Sequence, residues 1–181
     1  MSTPVDPGFA EVLQLIASAR LRAVQAVNTA LIDLYWQVGA IISHKIETAE
    51  WGEGVVNQLA EHIASTHPGL RGFTRPNLYR MRQFYEAYQG QDLVSPLVRQ
   101  LPWTHNLIIL SQAKLPQERE FYLRQAAQEK WSNRELERQF ESALFERTVL
   151  QPAKVSPVVK YTHPAPQHAF TTTSPNRAHA H

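Results

Sequence analysis

The chain has 181 residues, enough for one domain of ordinary size plus a tail, and 43% of them are hydrophobic, as in a folded protein. It contains no cysteine, which excludes disulfides, thiolate catalysis and Cys-based zinc sites. The formal net charge is +2, but Lys154, Lys160 and Arg177 carry the only formal charges after residue 150, so the first 150 residues hold 15 basic and 16 acidic groups. That is a weak balance for a nucleic-acid binder unless charge is sorted onto one face.

The N-terminus, MSTPVDPGFAEV, lacks the basic region and apolar run of a signal peptide. No uninterrupted apolar stretch approaches the roughly 18 residues that would suggest a membrane span. A cytoplasmic protein with no membrane partner is expected. Residues 9–48 contain no proline, and their only glycine is Gly39. Val24, Val27, Leu31, Leu34, Val38 and Ile41 alternate three and four apart in a heptad-like seam. Leu13 and Ile16 continue it upstream, and Arg20 interrupts it. One long helix, or two helices broken near Arg20–Arg22, satisfies the pattern. Packing of the seam into the domain is favoured over a dimeric coiled coil, because the strict repeat covers fewer than three heptads. Asn28, one residue after Val27, either fixes register or sits at the helix edge.

Glu50-Trp51-Gly52-Glu53-Gly54 turns the chain, and Val56, Leu59, Ala60 and Ile63 then predict a helix of about three turns. His67-Pro68-Gly69-Leu70-Arg71-Gly72 ends it, since Pro68 disfavours helix at His67 and both glycines permit a sharp turn. Thr74 is the expected N-cap of the next helix, with Pro76 in its first turn. Leu78, Met81, Tyr85 and Tyr88 make its apolar face. Arg75, Tyr79, Arg82 and Glu86 line another face, with Asn77, Arg80 and Phe84 beside them. No Asp or Glu occurs between His62 and Tyr85, whereas Arg71, Arg75, Arg80 and Arg82 all do. A helix buried on one side and basic and aromatic on the other can lie against an anionic partner. An ordinary solvated amphipathic helix shows the same pattern. Short helix, turn and basic helix outline a helix-turn-helix-like unit, though the connector is longer than the usual three or four residues.

Gly90, Pro96 and Pro102 surround LVSPLVRQL, read as a small wing or an irregular link, with Pro96 arguing against a central strand. Thr104 is the expected cap of a helix that buries Leu107, Ile108 and Leu110. Pro116 suits the first turn of another, which carries Phe121, Tyr122, Leu123, Ala126 and Ala127. Ser132-Asn133-Arg134-Glu135 reads as a capping box opening a helix with Leu136, Phe140, Ala143 and Leu144 buried, ending at about Arg147. Beyond Val149 the prolines and a TTTS run cannot supply a core. Two segments are therefore expected: an all-α helical domain over 9–149 and a Pro-rich disordered tail over 150–181. His163, His168, His179 and His181 in that tail could bind a metal weakly, but no defined site is expected, because a folded site needs ligands on ordered elements. No cofactor is expected.

Six segments together, AVNTALIDLYWQVGAII (26–42), EWGEGVVNQLAEHI (50–63), GFTRPNLYRMRQFYEAY (72–88), LPWTHNLIIL (101–110), FYLRQAAQEKWSNRELERQ (121–139) and LFER (144–147), resemble one family. It is the N-terminal domain of the YhcG-type proteins, a bacterial family of predicted PD-(D/E)xK-superfamily nucleases. The resemblance implies a helical DNA-binding domain placed ahead of a nuclease domain. It implies that Arg71, Thr74, Arg75, Asn77, Tyr79, Arg80 and Arg82 face duplex DNA. Trp51-Gly52, Trp103, His105, Asn106, Trp131 and Ser132 also match family positions. The indoles read physically as core area, and Ser132 as a cap. His105 and Asn106 read either as exposed polar contacts or as a satisfied pair at a helix start.

The family's nuclease domain should follow Arg147, where only 34 residues remain, none of them acidic. Its chemistry needs carboxylates on a divalent metal and a lysine preceded two residues earlier by Asp or Glu. The residues at that position here are Ser43, Gln112, Gln128, Pro152 and Val158, none acidic. No Gly-rich phosphate loop, G-x-S-x-G or H-E-x-x-H occurs either. No catalytic residue is assigned, and a non-enzymatic, isolated N-terminal domain is expected. Two functions follow. One is a DNA-binding module. The other is an interaction module that pairs through the 24–41 seam with a second copy, as a homodimer, or with a separate nuclease subunit.

Overall fold

Helix α1 (Pro7–Glu47) runs unbroken for 41 residues, in a computed structural model that describes residues 6–150 except Leu93, and of Pro7 and Glu53 only the backbone. Asp6 caps it, its carboxylate accepting the Gly8 N–H at 2.7 Å. There is no break at Arg20–Arg22. After a turn at Thr48–Gly52 come α2 (Glu53–Thr66), α3 (Arg75–Tyr88), α4 (Ser95–Gln100), α5 (Trp103–Gln112), α6 (Pro116–Glu129) and α7 (Asn133–Glu141). A π-helical turn, Glu146–Leu150, closes the described chain. Among the described residues there is no strand, so the domain is all-α. The tail expected over 150–181, with its histidines, lies outside the described residues apart from Leu150.

The core is organised on α3. Its inner face is Leu78, Met81, Phe84 and Tyr88, all at most 1% exposed. Phe84, expected beside the polar face, is thus core, and Tyr85 is only half-buried, with its ring 5.2 Å from that of Trp36. Leu78 and Met81 pack with Tyr35, Ile42 and Val56 between α1, α2 and α3. Phe84 and Tyr88 join Ile109, Tyr122, Leu123 and Leu136 in a larger cluster that unites the C-terminal helices. At Gly39 the backbones of α1 and α3 touch: a Cβ there would lie 2.1 Å from the Met81 carbonyl oxygen.

The heptad-like seam is not the core face of α1. Val24, Val27, Leu31, Leu34 and Ile41 are 37–70% exposed, and of the six only Val38 packs against the core. Ile32, Tyr35, Gly39, Ile42 and Ser43 are buried instead. Both sets recur three and four apart, but at about 100° per residue they lie on different sides of the helix. Asn28, directed at the body, settles neither register nor edge. It donates to the carbonyls of Arg99 and Leu101, both at 3.1 Å, filling acceptors at the C-terminal end of α4. Arg99 pairs with Asp33 and lies over Trp36, 5.8 Å from its ring centre, so α4 is clamped to α1.

Four local expectations change. Helix α2 has 14 residues, about four turns. The region read as a wing or link contains α4, with Pro96 in its first turn, where the missing N–H is harmless. Helix α5 opens one residue before Thr104, with Pro102 at the N-cap. Helix α7 stops at Glu141, because Ala143 adopts φ +52°, rather than reaching Arg147. Ser132 does cap α7, its hydroxyl accepting the Glu135 N–H at 3.2 Å. The Glu135 carboxylate turns to Arg138 and Gln139 instead of completing the box. Those hydrogen bonds hold its pKa below the usual carboxylate value.

Candidate nucleic-acid interface

The entry to α3 is fixed by residues that no charge pattern reveals. Gly72 sits at φ +93°, in the left-handed region, and a Cβ there would meet the Tyr35 hydroxyl at 2.9 Å. The Asn77 amide donates to the Gly72 carbonyl and accepts from the Trp103 indole N–H at 3.0 Å. Trp103 in turn packs on Tyr35 and Phe84, with ring centres 4.8 and 5.2 Å away. Both ends of the Asn77 amide are therefore engaged inside the fold. Its role here is to lock the turn onto the helix.

The remaining candidates separate into three groups. Arg71 and Thr74 are exposed on the connector, and Thr74 holds the N-cap position without a side-chain capping bond. Arg75 is exposed, with its guanidinium 5.5 Å from the ring centre of half-buried Tyr79, a cation–π contact that orders the side chain. Arg82 pairs with Glu86 at 2.7 Å, and the same carboxylate oxygen accepts from the Ser43 hydroxyl at 2.8 Å. Arg80 points elsewhere, into a groove of about 710 Å³ between α3 and α5.

That groove brings in cations the sequence did not single out. Lys114, after α5, and Arg119, on α6, line it with Arg80, Gln83 and Ser111. Lys114 donates to the Ser111 carbonyl at 2.6 Å, and Arg119 to the Ala113 carbonyl at 3.1 Å. Both cations thus sit at the negative end of the α5 dipole. Arg119 lies between Glu118 and Glu120 in the chain, so its isolation from them appears only in the fold. Glu120 pairs with Arg124, and Glu118 accepts the Lys114 backbone N–H at 2.9 Å. The nearby Tyr88 hydroxyl is buried, which raises its pKa, while the charge of Arg119 opposes the rise.

His105 and Asn106 are not surface contacts. They are 7% and 0% exposed. The His105 Nε2 atom lies 2.6 Å from the Trp131 carbonyl, and the Asn106 amide donates to the carbonyls of Val98, Leu101 and Pro102 at 2.9–3.3 Å. Asn106 secures the corner between α4 and α5, and His105 ties α5 to the turn between α6 and α7. Among the described residues, no group of three His, Asp or Glu side chains could hold a metal. No described helix is long and apolar enough to cross a membrane.

These elements define an all-helical module whose third helix and its connector present arginines on a tightly fixed turn. The chain belongs to the DUF1016 N-terminal domain family, whose profile matches residues 11–147. It is similar to the protein named "Putative nuclease YhcG" of Escherichia coli (strain K12), at 26% identity over 195 residues, covering 88% of this chain and 52% of that protein. The chain spans about half the length of that relative. No solved structure matches it.

Proposed function

We propose that the chain is a non-catalytic DNA-binding module that docks duplex DNA against α3 and its entry turn, with α2 and α3 as a helix-turn-helix-like unit. One observation carries the reading. Arg71, Arg75 and Arg80 are exposed and take part in no ion pair among the described residues. Lys114 and Arg119 add two cations across the groove, whose lining also includes the Glu86 carboxylate already paired with Arg82. Phosphates would be held by Arg71, Arg80 and Lys114, and Arg75 is the side chain available for a base edge. About three such phosphate contacts predict a log–log salt slope of roughly −3. The test is fluorescence anisotropy of the full chain with labelled duplex DNA over a salt series. Arg71→Ala/Arg75→Ala/Arg80→Ala should abolish binding while the helical circular dichroism stays intact. Arg82→Ala, whose guanidinium is already held by Glu86, should change affinity least. Absence of binding by the folded protein at low salt would refute the reading.

A second reading has its own support. The exposed 24–41 seam on α1 favours an interaction module that pairs through this helix with itself or with a separate nuclease subunit.

A further inference from the structure

Every described side chain from Gly8 to Val27 is exposed. Helix α1 leaves the body where Asn28 bonds to the end of α4, and its N-terminal half is an arm that no described residue buries, with only Leu21, Val24 and Gln25 bordering a groove against α6. Yet the arm is not polar. Phe9, Val12, Leu13, Ile16, Val24 and Val27 are 49–70% exposed. At about 100° per residue these six fall within an arc of roughly 120°. They make one continuous stripe, a geometry that in water calls for a partner.

We propose that two copies of this chain pair through these arms, antiparallel, about a two-fold axis level with Ser18. The occupant follows from the pattern itself. An antiparallel pairing about Ser18 sets residue i level with residue 36 − i, so Phe9 faces Val27 on the midline, while Val12 is level with Val24 and Leu13 with the small Ala23 across it. At about 100° per residue the same operation maps the stripe onto itself, its two sides exchanging places, as an isologous interface requires. The overlap spans residues 8–28, close to the exposed run 8–27 of the helix. Each tip would stop where its partner's body begins.

Arg20 is the single charge within the stripe. In this register it lies over Ile16 of the second copy, where its methylenes cover apolar surface and its head reaches water. A parallel pairing would instead stack Arg20 on Arg20 and crowd both bodies at one end. The six side chains, with the Arg20 stem and the alanines between them, offer on the order of 800 Å² per copy, the size of a standard stable interface. This deepens the assembly reading and is independent of the DNA reading.

Sedimentation equilibrium of the full chain, from low micromolar to hundreds of micromolar, should show a shift from 20.6 kDa to twice that mass. Val27→Glu should raise the dissociation constant by ~100-fold or more, since it places a carboxylate in an apolar seam. Because Val27 is 70% exposed, its circular dichroism should remain that of a folded protein. Arg20→Leu should tighten the dimer. The chain has no cysteine, so orientation can be read by oxidation: Phe9→Cys mixed with Val27→Cys, which face each other on the midline, should cross-link, and neither variant alone should. Cross-linking of each variant alone means a parallel pair and overturns the proposal. So does a monomer at every concentration, including for Arg20→Leu, or larger species that Val27→Glu leaves unchanged. A monomer that still binds DNA overturns the dimer alone and leaves the DNA reading standing.

Discussion

Gly39→Ala tests whether the contact between α1 and α3 is as close as the backbone geometry requires. By helix propensity alone, replacing a mid-helix glycine with alanine should stabilise the protein by about 1 kcal/mol. The packing argues the other way. The new Cβ would lie 2.1 Å from the Met81 carbonyl oxygen and 2.6 Å from its carbon, whereas ordinary contact begins at 3.4 Å. The helices must separate by about 1 Å, and because the obstacle is backbone, no side-chain rotation can relieve it. Overpacking of this kind costs up to ~3 kcal/mol, so a net loss of about 2 kcal/mol is expected. In a domain of this size that lowers Tm by about 4–8 °C. Differential scanning calorimetry of wild type and variant measures it. Gly54→Ala, where a Cβ meets nothing within 4 Å, should melt at or slightly above the wild-type temperature. A Gly39→Ala protein as stable as wild type would show that the two helices are not in backbone contact and would sink the reasoning.

Other expectations follow from single buried or capping groups. Asn106→Ala leaves the Val98 carbonyl without its side-chain donor, while the Leu101 carbonyl keeps Asn28 and the Pro102 carbonyl keeps the backbone N–H of residue 106, and should cost ~1–3 kcal/mol in urea denaturation, with the m-value unchanged. Ser132→Ala removes the α7 cap and should cost ~1 kcal/mol by the same assay. Tyr88→Phe deletes a buried hydroxyl that has no partner among the described residues, so stability at neutral pH should hold or rise by up to ~1 kcal/mol. Burial raises the Tyr88 pKa in the folded protein. The stability this represents is present below the unfolded phenol pKa of about 10 and is lost as pH climbs above it. Wild type should therefore lose stability more steeply than Tyr88→Phe in alkaline denaturation titrations, and parallel curves would contradict the assignment.

Much of the fold is legible as periodicity and punctuation. The proline-free run 9–48 is one helix, the turn at 67–72 ends α2, and Pro76 and Pro116 fall in first turns. What periodicity could not decide is which of two apolar faces a helix buries. On α1 the core residues Ile32, Tyr35 and Ile42 and the exposed residues Val24, Val27 and Leu31 have the same spacing. Hydrophobicity marks both sets, and only the position of α3 distinguishes them. Phe84 shows the same limit on α3. Asn77 shows another, because an amide among arginines matches the chemistry of a base reader. Only the Trp103 indole, 26 residues downstream, reveals its structural role.

Net charge was the main objection to DNA, and the fold changes its weight. With 15 basic against 16 acidic groups before residue 151, the domain looks neutral from the sequence. The ion pairs are not spread evenly, however. Glu50 pairs with Lys45, Asp33 with Arg99, Glu86 with Arg82, Glu120 with Arg124 and Glu135 with Arg138. None of these pairs involves Arg71, Arg75 or Arg80, and the chain from Ile63 to Phe84 contributes no carboxylate. At physiological ionic strength the Debye length is about 8 Å, so an approaching phosphate responds to charges within that range and little to the sum over the molecule. The local count of phosphate contacts therefore governs the expected salt dependence, and it is about three. Neutralising distant exposed acids, such as Glu11→Gln together with Glu141→Gln, should leave the salt slope unchanged. A slope that steepens with them would mean that binding follows net charge rather than the surface around α3.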